Sequence, residues 1–141
     1  MTDGGPALFR LVRFWSRRWA RGPAADADVV PHPQLVLVVE AVHAAGADAS
    51  VNDVARQLGL DQSGASRMVT VATAEGYLAR ARAAADARRT ALRLTPAGEQ
   101  LLTAARDWQC ATFEQLTARW AASDRERFAG YLQRLADETG A

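Results

Sequence analysis

The sequence predicts a mainly α fold with a small β-hairpin wing: a winged helix-turn-helix lobe between N- and C-terminal helices. Three observations predict it. Ala55, Gly59 and Ala65 stand at positions 5, 9 and 15 counted from Val51, where two short helices cross around a tight turn. Residues 80–93 gather Arg80, Arg82, Arg88, Arg89 and Arg93 against a single acid, Asp86. Leu94-Thr95-Pro96-Ala97-Gly98 then opens a long helix, with Thr as cap and Pro in the first turn.

Each element has a local cause. Leu8, Val12, Trp15 and Trp19 recur at helical spacing, with Arg10, Arg13, Arg17 and Arg21 on the opposite side. Gly22-Pro23 is expected to end this first helix. Pro33 starts a second helix that runs through Ala45 and stops at Gly46, with Leu37, Val38, Ala41 and Val42 as its inner face. Ser50 and Asp53 form a capping box for a third helix, Val51 to Leu58. Gly59 takes the turn, where a positive φ is needed. Asp61 caps a fourth helix that reaches about Glu75, and Gly76 closes it. Leu58, Leu60, Met68 and Val69 are expected to fill the space beneath the helical pair.

Strands follow at Leu78–Arg82 and Thr90–Leu94, with Ala83–Arg89 as the loop. The long fifth helix is expected to reach Trp120. Ser123 and Glu126 form a second capping box, for a last helix carrying Phe128, Leu132 and Leu135. Trp15, Trp19, Trp108, Phe113, Leu116 and Trp120 are too many large apolar groups for one thin lobe to cover. A helical dimer interface would bury them. The expected organisation is therefore a single domain, with 32–95 as the winged lobe and 1–22 and 96–141 as dimerisation helices.

Composition narrows the function. With 17 arginines, no lysine and 16 acids, the net charge is only +1, but the charge is unevenly spread. A near-neutral chain with one dense basic hairpin points to a local anionic partner. No apolar run approaches the roughly 18 residues of a membrane span. Arginines interrupt every apolar stretch from Phe9 to Arg21, so no signal peptide is expected and the chain is placed in the cytoplasm. The two histidines, His32 and His43, would stand about 16 Å apart along one helix, too far to share a metal. The sequence contains no Ser-His-Asp set, glycine-rich phosphate loop or Cys/His cluster. Neither catalysis, a metal nor a cofactor is expected.

The exposed face of the fourth helix would be Gln62, Ser63, Ser66, Arg67 and Thr70. These are short donors and acceptors plus one guanidinium, suited to base edges and phosphates in a major groove. The alanines 83–85 would make a slim, flexible tip, and Arg88 and Arg89 would enter the adjacent minor groove, where negative potential is concentrated. Asp86 is expected to buttress Arg88 through a bidentate pair.

Three segments in order resemble the MarR family of bacterial regulators. They are Val54-Ala55-Arg56-Gln57-Leu58-Gly59-Leu60, then Ser63-Gly64-Ala65-Ser66-Arg67-Met68-Val69 running on to Glu75-Gly76-Tyr77-Leu78-Ala79-Arg80, then Asp86-Ala87-Arg88-Arg89 with Leu94-Thr95-Pro96-Ala97-Gly98. They cover residues 50–98; the flanks match in length and helix order. The resemblance implies a homodimer with interlocking terminal helices. It also implies binding of double-stranded DNA at a pseudo-palindromic operator, and repression relieved by a small ligand. Arg88 would be the minor-groove arginine, with Asp86 its partner. Trp15, Trp19, His43 and Trp108 are the candidate pocket for an aromatic or phenolic effector, with Arg13 or Arg17 to hold a carboxylate.

Cys110 is expected to be a small buried hydrophobe. Three other readings fit the residues. They are a redox-sensing regulator working through Cys110, a ligand-independent DNA-binding or architectural protein, and a winged helix that binds protein instead of DNA.

Overall fold

Local signals set most of the helix and strand boundaries. The computed structural model describes residues 3–25 and 30–141, without the side chains of 18–25. It divides into two compact units, Met1–Ala105 and Arg106–Ala141.

In the first unit, α1 spans Gly4–Ala25. It passes through Gly22 and Pro23, where the sequence predicts its end. The described α1 side chains are half-buried or exposed, with Phe9 70% accessible. Helix α2 (Pro33–Ala45) has Pro33 in its first turn and Gly46 at its end with φ 84°. Leu35, Val36, Val38, Val39, Ala41 and Val42 are buried, whereas Leu37 is 43% exposed. Val38, Ala41 and Val42 are buried as expected, whereas Leu37 is not and Leu35, Val36 and Val39 join the inner face. Helices α1, α3 and α4 and the second strand all pack on α2, so it buries more than one stripe. Leu37 falls in the gap they leave.

Helix α3 (Val51–Leu58) starts on a reciprocal capping box. Ser50 Oγ accepts from the Asp53 N–H at 3.1 Å, and Asp53 Oδ2 accepts from the Ser50 N–H at 2.9 Å. Gly59 ends it in the left-handed region at φ 64°, and the Leu60 N–H reaches back to the Ala55 carbonyl at 2.9 Å. The turn thus directs the chain into α4 (Gln62–Ala74), where Ala65, Val69 and Ala72 are buried. Leu60 is 38% exposed, so it flanks the turn and does not fill the space beneath it.

Strands β1 (Leu78–Arg82) and β2 (Thr90–Leu94) pair antiparallel, Leu78 opposite Leu94 and Arg82 opposite Thr90. Ala49 adds a one-residue bridge on the other edge of β2, its carbonyl accepting from the Leu92 N–H at 2.7 Å. Leu92 lies between these two neighbours and is 1% exposed.

Helix α5 (Pro96–Leu116) begins in the first unit and ends in the second. Its start is tied to the turn between α4 and β1. The Thr95 N–H donates to the Tyr77 carbonyl at 3.0 Å, the Thr95 hydroxyl donates to the Gly76 carbonyl, and the Gly98 N–H donates to Thr95 Oγ1 at 3.1 Å. A Cβ at position 98 would run into the Tyr77 carbonyl oxygen, so this close approach requires glycine.

In the second unit, α5 stops at Leu116, short of the predicted Trp120. Thr117 Oγ1 donates to the Phe113 carbonyl at 2.8 Å, and the Ala118 N–H bonds three residues back, to Gln115. The last turn tightens and the helix ends. Helix α6 (Ala122–Thr139) has Ala121 at its N-cap, with no side-chain cap. Ser123 lies inside the helix, which corrects the predicted capping box; the Asp124 and Arg125 N–H groups donate to the Ala121 carbonyl instead. Phe128 stacks on Phe113 at 6.0 Å between ring centroids and meets Trp120 at 5.3 Å. Among the described residues, no helix is long and apolar enough to cross a membrane.

Candidate nucleic-acid interface

Helix α4 presents one polar face. Gln62, Ser63, Arg67 and Thr70 are exposed and Ser66 is half-buried. The face starts at a firm cap, since Asp61 Oδ1 accepts from the Gly64 N–H at 2.7 Å. The Thr70 hydroxyl donates to the Ser66 carbonyl at 2.9 Å. With its proton committed, Thr70 offers outward its acceptor lone pairs and its methyl group. Those suit a base amino group or a thymine methyl in a major groove.

The hairpin arginines are all exposed, but they do not share one face. Residues opposite each other in an antiparallel pair point the same way. Arg80 and Arg82 therefore lie with Leu92 and Thr90, and Arg93 with Ala79 on the other face. The alanines 83–85 are not the flexible tip that the sequence suggests. Ala83 is buried, and its N–H donates to the Arg89 carbonyl at 2.9 Å. The Ala84 and Ala85 N–H groups donate to the two carboxylate oxygens of Asp48, at 2.9 and 3.2 Å. The tip is instead the turn Asp86–Arg89, closed by the Arg89 N–H on the Asp86 carbonyl at 3.0 Å.

Asp86 also acts otherwise than predicted. Its Oδ1 accepts from the Arg88 backbone N–H at 3.0 Å. Among the described residues, no ion pair joins it to the Arg88 guanidinium. A short Asx-type bond meets the carboxylate first. It shapes the turn and leaves the guanidinium exposed for another anion.

Sequence reasoning missed two constellations, because their partners are distant in the chain. Asp48 lies 36 residues from Ala84. The N–H groups of Ala84 and then Ala85 hold its carboxyl below the usual 3.8 against desolvation, with Arg93 and Arg89 adding weaker attraction. His32 precedes α2 in a left-handed conformation, φ 48°. Its Nδ1 is hydrogen-bonded to the Tyr77 hydroxyl at 2.7 Å and its Nε2 lies 3.5 Å from Glu75 Oε2. Burial, then the Glu75 charge, raises the Tyr77 pKa and keeps the phenol neutral. This contact ties the start of α2 to the turn leading into the wing.

The expected effector residues belong to different elements. His43 is exposed and, with Val42, Gly46, Leu92, Arg93, Leu94 and Glu99, lines a hollow of about 290 Å³. Trp15 is on α1, beside Phe14 at 6.3 Å, and does not line that hollow. The Trp19 side chain lies outside the described residues. Trp108 is buried and belongs to the second unit. Arg10, Arg13 and Arg17 line a separate hollow of about 590 Å³ on α1. Cys110 is exposed, contrary to the buried role expected of it; the solvent-facing side of α5 carries it. Among the described residues, no group of three His, Cys, Asp or Glu is placed to hold a metal ion.

Helix-turn-helix, bridged hairpin and capped α5 together define a winged-helix protein. Residues 33–89 match the sequence profile of the MarR family. No curated protein matches the chain in sequence. Among solved structures, a MarR family protein from Bacillus stearothermophilus superposes with a TM-score of 0.74 at 19% identity, covering 100% of this chain and 99% of the other. A MarR/EmrR family transcriptional regulator from Acinetobacter sp. ADP1 gives 0.65 at 18% identity, covering 99% of each chain. S. aureus MepR is similar in two complexes at 18% identity. A mutant form bound to an oligodeoxyribonucleotide gives 0.61 over 95% of this chain and 96% of that one. The ethidium complex gives 0.61 over 99% and 97%. Residues 33–89 are thus similar to the MarR family, and the whole chain shares the winged-helix fold of these solved structures.

Proposed function

We propose that this protein is a homodimeric repressor that binds a pseudo-palindromic operator and is released by a small aromatic or phenolic ligand. The observation that carries the reading is the pairing of an exposed polar α4 face with a shaped wing turn whose arginines are exposed. Gln62, Ser63, Ser66, Arg67 and Thr70 would read the major groove while Arg88 and Arg89 grip the neighbouring minor groove. Such a protein acts by binding and not by catalysis, in the cytoplasm where the DNA is.

Supporting the dimer are the apolar groups left at the surface of a single chain: Phe9, Leu11 and Val12 on α1, and Tyr131, Leu132 and Leu135 on α6. The segments 1–22 and 96–141 are the proposed dimerisation helices. The MepR complexes with an oligonucleotide and with ethidium support a DNA partner and a ligand for this fold. Trp15, Trp19, His43 and Trp108 remain the proposed effector contacts, each to be tested singly. An effector that changes the spacing of the two lobes would lower affinity through lost half-site registration.

Fluorescence anisotropy on DNA from the gene's own upstream region, against scrambled DNA over a salt series, tests this. The expected result is a strong preference for the upstream DNA, weakening steeply with salt. Equal, weak binding to both would count against a sequence-specific local repressor.

A further inference from the structure

We propose that Asp48 is the positioning residue of the wing, holding the ascending side of its loop against the helix-turn-helix and so setting where Arg88 and Arg89 meet DNA. The inference rests on the DNA-binding reading for its consequence, and on geometry alone for the clamp.

The loop 83–89 has little stiffness of its own. Four of its seven residues are alanine, and it contains neither proline nor a second acid besides Asp86. Alanine side chains form no hydrogen bonds, so backbone groups must provide any restraint. Asp48 provides it from outside the hairpin. Each of its carboxylate oxygens takes one of two consecutive N–H groups, those of Ala84 and Ala85. Bonds to an ionised acceptor are stronger than neutral ones. The next residue, Asp86, shapes the turn that presents Arg88, and Arg89 closes that turn. The restraint therefore passes from Asp48 through two alanines to the arginine tip.

The place of Asp48 in the chain makes this a link between the two DNA-facing elements. It is followed by Ala49, which bridges to Leu92, and by Ser50, which caps α3. Helix α3 and the tight turn at Gly59 carry α4. One short loop thus anchors the recognition helix on one side and the wing on the other. Simple electrostatics assigns an exposed carboxylate beside a DNA-binding hairpin the opposite role, since it repels phosphates. The two accounts differ in sign.

The test compares the parent protein with Asp48→Ala and Asp48→Asn, using a duplex that the parent enriches from a random pool. Positioning predicts weaker binding and a shallower salt dependence for Asp48→Ala, with Asp48→Asn in between because one acceptor oxygen remains. It also predicts that Asp48→Ala adds no further loss in an Arg88→Ala/Arg89→Ala background. Tighter binding by both variants would overturn the proposal in favour of plain repulsion. Amide hydrogen exchange on the free protein judges the clamp without DNA. Ala84 and Ala85 should lose protection in Asp48→Ala while Leu92 keeps its own; unchanged exchange at both alanines would overturn the clamp. If the parent enriches no duplex, the DNA reading fails and takes the presentation role of Asp48 with it, while the exchange result still stands or falls by itself.

Discussion

Helices α2 and α6 differ in composition and end in opposite situations. The 13 residues of α2 bury six side chains; the 18 of α6 bury none. Helix α2 is apolar on nearly every side, whereas α6 spaces Phe128, Tyr131, Leu132 and Leu135 among charged residues. Their surroundings differ as well: α2 is packed by three helices and a strand, whereas Tyr131 of α6 is 66% exposed. A helix in the first situation stabilises its own chain. A helix in the second leaves its apolar face exposed on a single chain, as the proposed dimer would need. The lobe should therefore respond to mutation through folding, and α6 through association.

The largest effect is expected at Leu92, the buried centre of the bridged hairpin. Leu92→Ala should cost about 2–5 kcal/mol in denaturant unfolding, the usual range for emptying a core leucine site. A cost typical of a surface residue would mean that the lobe core lies elsewhere. Gly98→Ala comes next, at about 1–3 kcal/mol, because the added methyl has backbone and not a flexible side chain against it. Neutral stability there would refute the close approach of α5 to the Tyr77 carbonyl.

Arg88→Ala tests the surface rather than the core. It should cost about 1–3 kcal/mol of DNA binding and leave unfolding and association unchanged. Unaltered affinity would remove the wing tip from the interface. Asp53→Ala should cost about 1 kcal/mol through loss of the α3 cap. This contribution also has a pH signature. The Ser50 N–H, then the Ser50 hydroxyl and Arg56, hold the Asp53 carboxyl below its usual 3.8, against some burial. A carboxyl depressed in the folded state contributes its full stability above the unfolded pKa of about 3.9 and loses it as pH falls through the lower folded value. The parent should thus lose more stability than Asp53→Ala on acidification below about pH 4; parallel losses would separate Asp53 from the cap. The smallest effect on the isolated chain is expected at Leu132, where Leu132→Ala should stay within about 0.5 kcal/mol. Its effect should appear in sedimentation, as dimer dissociation moving to higher protein concentration. An unchanged profile would take α6 out of the dimer contact.

Elements set by neighbours in sequence were legible. The capping box at Ser50 and Asp53, the stop at Gly46, the turn at Gly59 and both strands follow from residues a few positions apart. They lie where spacing and capping chemistry put them. The exposed polar face of α4 was legible too, since helical spacing alone separates Gln62 and Arg67 from Ala65 and Val69.

Other features depended on contacts that local spacing does not encode. Leu37 faces outward because of how other elements surround α2. The alanines 83–85 are anchored because Asp48, far back in the chain, lies beneath them. Asp86 turned to the nearest backbone N–H because that bond forms within a single turn, whereas pairing with a long arginine side chain immobilises more of it. The spacing of Ser123 and Glu126 predicts a cap at Ser123, but the chain re-enters a helix earlier, at Ala122. The sequence by itself determined the order of elements, the α4 face and the basic hairpin, because each rests on spacing within a few turns. Only the tertiary structure decided which wing groups are tied down and which apolar faces stay open, because those depend on long-range proximity.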